Sequence, residues 1–100
     1  MDLNFQEIKI IEESWDEEGF FYKLRYRIFD RELFNRVCTA ISKLSFSETD
    51  IIERDLIRLL WFIPVFMTRQ RDYVENIDQK EYDSLCEKII DIIAGVLGYP

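Results

Sequence analysis

The chain has 100 residues, of which 48% are apolar, 33% charged and 15% aromatic, and its formal net charge is −7. This length fits one small domain with a single core, and the scarcity of Gly and Pro excludes a disordered chain. The excess of acids excludes a general binder of nucleic acid or anionic membranes, and the absence of histidine removes the commonest metal ligand and general base.

The first segment, residues 5–29, is predicted to form an antiparallel β-hairpin. In residues 20–28 the even positions carry aromatic or aliphatic side chains and are expected on the inner face, whereas the odd positions after Phe21 carry Lys or Arg. This period-two alternation is the pattern of a half-buried strand. A three-residue loop ending at Gly19 would place that glycine in the left-handed conformation. The same register sets Trp15 opposite Phe21, a favourable aromatic pair across the strands.

After the hairpin the apolar period changes from 2 to 3.6 residues, which predicts helices. Asp30 and Asp78 are expected to be N-caps, residues 47–50 resemble a capping box, and Pro64 should kink or end a helix. The predicted fold is a single α+β domain over residues 1–100, with the N-terminal hairpin followed by three to four packed helices. The predicted helices lie near residues 30–44, 47–63, 65–75 and 79–97.

The cellular location of the protein is inferred from two features that its sequence does not show, a signal peptide and an apolar run long enough to span a membrane. The N-terminus has neither the basic region nor the apolar stretch of a signal peptide, and the longest apolar run, residues 59–67, is much shorter than the roughly 20 residues of a membrane span. Cys38 and Cys86 occupy apolar helical stripes and are expected to be reduced, buried thiols. We therefore expect a cytoplasmic protein that does not enter a membrane.

No catalytic site is predicted from the sequence. A Ser or Cys nucleophile would have no histidine base, and burial should blunt both thiols. The three glycines are not spaced as in a phosphate-binding loop, and the acids Asp50, Glu53 and Asp55 lack the spacing of an EF-hand. The expectation is a protein that is not an enzyme and has no cofactor or metal.

Negative charge is concentrated in two stretches of the chain. Residues 1–19 hold seven acids and one base, and residues 72–91 hold seven acids and two bases. The first stretch surrounds Trp15, and an aromatic residue ringed by carboxylates has the composition of a binding hot spot for a basic partner. The sequence leaves open which stretch binds. The predicted partner-binding residues are Glu12, Glu13, Trp15, Asp16, Glu17 and Glu18.

In size, acidity and its tyrosine- and carboxylate-rich composition, the whole chain resembles bacterial immunity proteins, the partners of contact-dependent inhibition toxins and nuclease bacteriocins. The resemblance implies an antitoxin, a protein that neutralises a cognate toxin by covering a site on a basic, nuclease-type domain. The four-helix bacteriocin immunity proteins carry an acidic helix followed by a tyrosine pair. This chain has no adjacent tyrosine pair, and its expected hairpin departs from that fold.

Three other functions stay open at this point. Phage-encoded inhibitors that imitate nucleic acid with clustered carboxylates share the same composition. A basic strand face with Lys23, Arg25 and Arg27 could bind RNA, although nearby glutamates should neutralise it, so no nucleic-acid partner is expected. The wide apolar faces of the last two helices could also form a homo-oligomer; a monomer is expected, with a homodimer left open.

Overall fold

The computed structural model describes residues 4–47 and 51–98, and these residues form five α-helices and one 3-10 turn without any β-strand. Helix α3 packs against α1 and α5, and α5 packs in turn against α4. The fold is therefore all-α, and the predicted α+β class is wrong. The elements are α1 (Phe5–Glu13), α2 (Phe20–Arg25), α3 (Arg31–Ser42), α4 (Arg54–Gln70), the 3-10 turn (Arg71–Tyr73) and α5 (Gln79–Leu97).

The predicted β-hairpin over residues 5–29 is replaced by two helices, α1 and α2, joined by a short loop. Phe20 and Leu24 are fully buried at the spacing of one helical turn, whereas Tyr26 and Ile28, expected on the same inner face, are 61% and 50% exposed. The alternating sequence of these nine residues is thus compatible with a short helix followed by a turn. Four aromatic residues and Ile28 give this run a real strand propensity, but such propensity depends on context, and burial of adjacent Phe20 and Phe21 together with Leu24 requires a helix.

Helix α4 continues through Pro64, so of the two outcomes left open, a kink or the end of a helix, the structure excludes the end, and the expected ranges 47–63 and 65–75 are not separate helices. Proline in a helix interior costs about 3 kcal/mol. Leu60, Ile63 and Met67 around it are all fully buried, and each such side chain contributes about 1.5–3 kcal/mol. Tertiary burial thus offsets the local cost. Of the expected capping box, positions 48–50 lie outside the described residues, and α4 begins at Arg54.

Both predicted N-caps are confirmed. The Asp30 carboxylate accepts a hydrogen bond from the Leu33 N–H at 3.0 Å and begins α3. The Asp78 carboxylate accepts from the Lys80 and Glu81 N–H groups at 3.1 and 3.3 Å and begins α5. Such caps pair backbone donors that a helix start leaves free, a local effect that sequence reveals well.

Two asparagine side chains hold non-helical segments in place. The Asn4 amide accepts from the Ser45 N–H at 3.0 Å and donates to the Ser45 carbonyl at 3.1 Å. Asn76 makes the same two-point contact with the backbone of Phe29, with both distances 2.9 Å. The second contact fixes the segment that leaves α2. It therefore helps to orient the α1–α2 end of the molecule.

No helix among the described residues is both long and apolar enough to cross a membrane.

Candidate functional site

Five acids lie along the last turn of α1 and the loop to α2, and we call this surface, made of Glu12, Glu13, Asp16, Glu17 and Glu18, the acidic corner. All five side chains are exposed. The loop beneath them is held by its own backbone, because the Asp16 N–H donates to the Glu13 carbonyl at 3.0 Å and the Gly19 N–H donates to the Asp16 carbonyl at 2.8 Å. A compact backbone therefore presents the carboxylates to solvent.

The loop turns at Glu18, which has a φ of 72°, whereas Gly19 has an ordinary φ of −81°. The prediction that Gly19 supplies the left-handed residue is wrong. Glycine is needed there for space, since a Cβ at Gly19 would lie 2.4 Å from the Ser14 carbonyl oxygen and 2.6 Å from that of Glu13. The same Ser14 oxygen accepts from the Phe21 N–H at 2.9 Å. This close approach lets α2 begin directly against the end of α1.

The acidic corner is almost without internal charge compensation. Within the described ranges, Glu13 alone of the five has an ion-pair partner, the Lys9 ammonium at 4.0 Å. An exposed pair of this kind is worth roughly 0.3–0.5 kcal/mol and neutralises little. Four of the five carboxylates thus have no ion-pair partner within the described ranges and are open to an external cation.

The second acidic stretch is used largely by the fold itself. Asp83 accepts two hydrogen bonds from Arg71, at 2.6 and 2.9 Å, and this guanidinium lowers the pKa of the Asp83 carboxyl below its ordinary value. Glu81 pairs with Arg31, and Asp78 caps α5. Since these acids already have partners, the acidic corner is the better candidate for a binding surface.

A groove of about 370 Å³ runs between the acidic corner and α3. Its apolar lining includes Leu33 and Val37 of α3, and its rim includes every carboxylate of the corner except Glu12. The exposed Arg36 of α3 lies on the opposite wall. An apolar floor with an acidic rim is suited to a Lys or Arg side chain, whose stem is apolar and whose head is charged.

Trp15 lies between the acidic corner and α4. Its ring stacks on Phe21, with centroids 4.2 Å apart, and contacts the rings of Phe62 and Phe66 at 5.6 and 5.1 Å. Trp15 and Phe21 are the residues that the predicted hairpin set opposite each other, but they meet across a helical corner. The indole N–H is buried and has no hydrogen-bond partner within the described residues. The ring therefore packs chiefly against other aromatic rings.

A tyrosine pair beside the corner was missed by sequence reasoning. Tyr22 and Tyr26 of the α2 segment have ring centroids 5.0 Å apart, and Tyr26 is 61% exposed. The neighbouring Tyr26 phenol raises the pKa of Tyr22 above its ordinary value, and Glu17 and Glu18 add smaller effects of the same sign. The four-residue spacing of the two tyrosines could have indicated this pair. Residues at this spacing share one face in a helix and in a strand alike, but only a helix brings their rings into contact.

The basic residues expected to form an RNA-binding strand face have separate intramolecular contacts. Lys23 lies 3.4 Å from the Asp30 carboxylate, and Arg27 lies 3.8 Å from that of Glu75. The Arg25 guanidinium sits over the Phe66 ring, 5.5 Å from its centroid. They lie on a helix and the turn after it, so the predicted strand platform is wrong.

The groups considered for catalysis or metal binding form neither a reactive thiol nor a set of three or more ligands in the described part of the chain. Burial raises the pKa of both free thiols, Cys38 and Cys86, to about 11, so they are protonated at neutral pH. No group of three or more metal-ligating side chains converges in residues 4–47 and 51–98.

Comparison of the chain with protein-family models, with curated proteins and with solved structures finds no match.

Proposed function

We propose that this protein is an inhibitor that neutralises a cognate bacterial toxin by binding a basic surface of the toxin, of the nuclease type, with its acidic corner. The observation that carries the proposal is the set of four exposed carboxylates that lack an ion-pair partner within the described residues, Glu12, Asp16, Glu17 and Glu18. A folded protein rarely gains stability from clustered like charges, which repel one another. A basic partner would relieve that repulsion and would be steered towards it.

The groove beside the corner supplies an apolar component to the proposed interface. A Lys or Arg side chain from the toxin would lay its stem along Leu33 and Val37 and place its charged head among the rim carboxylates. Tyr26 adds an exposed aromatic ring against Tyr22, the tyrosine on which Glu17 and Glu18 act, and tyrosine is enriched among binding hot spots. Acidic and aromatic groups thus occupy one end of the molecule, as the proposal requires.

The same proposal assigns the chain a binding role in the cytoplasm and no catalytic activity. The buried, protonated thiols support this reading, because a thiolate is the reactive form of cysteine.

Charge reversal at the corner, Glu17→Lys with Glu18→Lys, is expected to weaken toxin binding at least a hundredfold at low salt and to leave the melting temperature nearly unchanged. Both side chains are exposed and make no ion pair in the described structure, so the fold does not depend on them. The tagged protein would capture its partner from lysate at low and high salt. The captured protein, once expressed, should arrest growth, and co-expression of the wild-type chain should relieve that arrest.

The matched control reverses two exposed acids on α5, Glu87→Lys with Asp91→Lys, which changes the net charge by the same amount. The control should retain the partner and still relieve growth arrest. Equal loss in both variants would mean that only overall charge matters, and a wild-type chain that retains no basic, growth-arresting protein would refute the proposed function.

Arg36 provides a test in the opposite direction. Its guanidinium lines the groove and repels any cation that enters, so Arg36→Gln is expected to tighten binding of the basic partner two- to fivefold. Titration calorimetry at low and high salt measures the effect, which salt should reduce. Weaker binding by Arg36→Gln would show that the toxin presents an acid to this wall of the groove.

A further inference from the structure

The solvent face of α4 carries an apolar stripe that no described residue covers. Ile57, Trp61 and Val65 follow one another at four-residue spacing and are 39%, 66% and 39% exposed, and Phe62 beside them is 41% exposed. Residues at this spacing share one face of a helix. The exposed Trp61 ring keeps apolar surface in water, which is unfavourable, and contributes no packing to the core. Contiguous exposed apolar patches of this kind mark interaction sites.

The stripe is bordered by cations in a protein whose net charge is −7. Arg54, Arg58 and Arg69 are exposed on α4, and none of them makes an ion pair within the described ranges. The surface is therefore apolar at its centre and carries these three arginines at its borders, together with the exposed Asp55, which lines a hollow with Arg58. Its aliphatic members favour a protein partner over a nucleic acid, which would be stacked by aromatic rings.

The α4 stripe adjoins the acidic corner. Trp15, in the loop of the corner, contacts Phe62, and Trp15 and Arg58 line the same hollow on the surface. Carboxylates, an apolar centre and arginines thus lie on neighbouring surfaces of one chain. A two-fold axis through the apolar centre would let the acidic corner of each copy reach the arginines of the other, the self-complementary pattern of an isologous dimer.

We propose that the chain forms a two-fold dimer with Trp61 at its centre and with reciprocal contacts between the acidic corner of one copy and the α4 arginines of the other. The exposed face of the 17-residue α4 is about 25 Å long and about 10 Å wide, far less than the roughly 800 Å² per subunit of a stable interface. The corner contacts must therefore contribute, and the dimer should be micromolar and sensitive to salt.

If the acidic corner binds a toxin, as proposed above, the dimer competes with that binding. It covers the acidic corner, so a dimeric chain could not bind a toxin through the same carboxylates. The dimer and the toxin complex exclude each other, and self-association would hold the inhibitor in reserve until a tighter-binding toxin competes for the corner.

Sedimentation equilibrium of the full chain from about 1 to 300 µM tests the dimer. At low salt the average mass should rise from 12.2 kDa towards twice that value, and high salt should reverse the rise. Trp61→Ser should weaken dimerisation about thirtyfold or more, because truncation of a central interface aromatic has effects of this size. Phe5→Ser is the matched control, since Phe5 is 63% exposed on α1, and it should leave the dimer unchanged.

A mixing experiment tests the reciprocal contacts. Arg54→Glu with Arg58→Glu makes both surfaces acidic, and Asp16→Arg with Glu17→Arg and Glu18→Arg leaves two acids against three bases in the corner and so makes both surfaces basic; each variant alone should therefore be monomeric. Mixed in equal amounts, the two variants should form a heterodimer, because each corner then faces an α4 of opposite charge. A wild-type chain that stays monomeric at low salt, a dimer that survives Trp61→Ser, or a mixture that stays monomeric would overturn the proposal. None of these outcomes bears on capture of a toxin, so the two proposals fail separately.

Discussion

Gly19→Ala is expected to lower the free energy of unfolding by about 3 kcal/mol and the melting temperature by about 15 °C. The added Cβ would lie 2.4 Å from the Ser14 carbonyl oxygen, which belongs to the backbone and cannot rotate away. That oxygen also accepts the Phe21 N–H hydrogen bond at 2.9 Å, so relief of the clash breaks the contact that begins α2. Chemical denaturation measured by circular dichroism gives the change directly.

Gly95→Ala is the matched control for this substitution. Gly95 lies inside α5, and a Cβ there would meet nothing within 4 Å. Alanine should stabilise the helix at that position by about 0.5–1 kcal/mol, since glycine is the poorer helix former. A Gly19→Ala variant as stable as the wild type would contradict the close approach of α2 to the end of α1.

Trp15→Ala is expected to lower the free energy of unfolding by about 2–3 kcal/mol, because the ring packs against Phe21, Phe62 and Phe66. A residue that served only as a protruding anchor for a partner would leave stability unchanged. Thermal unfolding followed by calorimetry distinguishes the two roles. The indole also stands between the acidic corner and α4, so its loss should disturb both surfaces together.

Trp15→Phe separates ring packing from the indole N–H. Phenylalanine keeps an aromatic surface against Phe21 and removes a buried donor that has no partner in the described residues. The loss of stacking area and the relief of the unpaired donor oppose each other, so stability should change by less than about 1 kcal/mol. A large loss with Phe would point to a hydrogen bond of the indole, and no loss with Ala would assign the ring to binding alone.

The sequence named the acids of the candidate site but placed them on a β-hairpin, whereas the structure places them where α1 meets α2. The sequence already placed Glu12, Glu13, Asp16, Glu17 and Glu18 at one connection between two elements, although the expected strand would have pointed Glu12 and Glu13 to opposite faces. The sequence could not show that Asp83 and Glu81 are engaged by arginines from other elements. Those partners are 12 and 50 positions away in the chain, beyond the reach of local patterns.

The sequence by itself determined the features that depend on only a few neighbouring residues. The N-caps Asp30 and Asp78 and the wide apolar face of residues 79–97 are local, since capping and the 3.6-residue period act over one or two turns. Only the tertiary structure decided that residues 20–28 are not a strand and that α4 passes through Pro64. In both places the local signal favoured another structure, and burial against the other helices outweighed it.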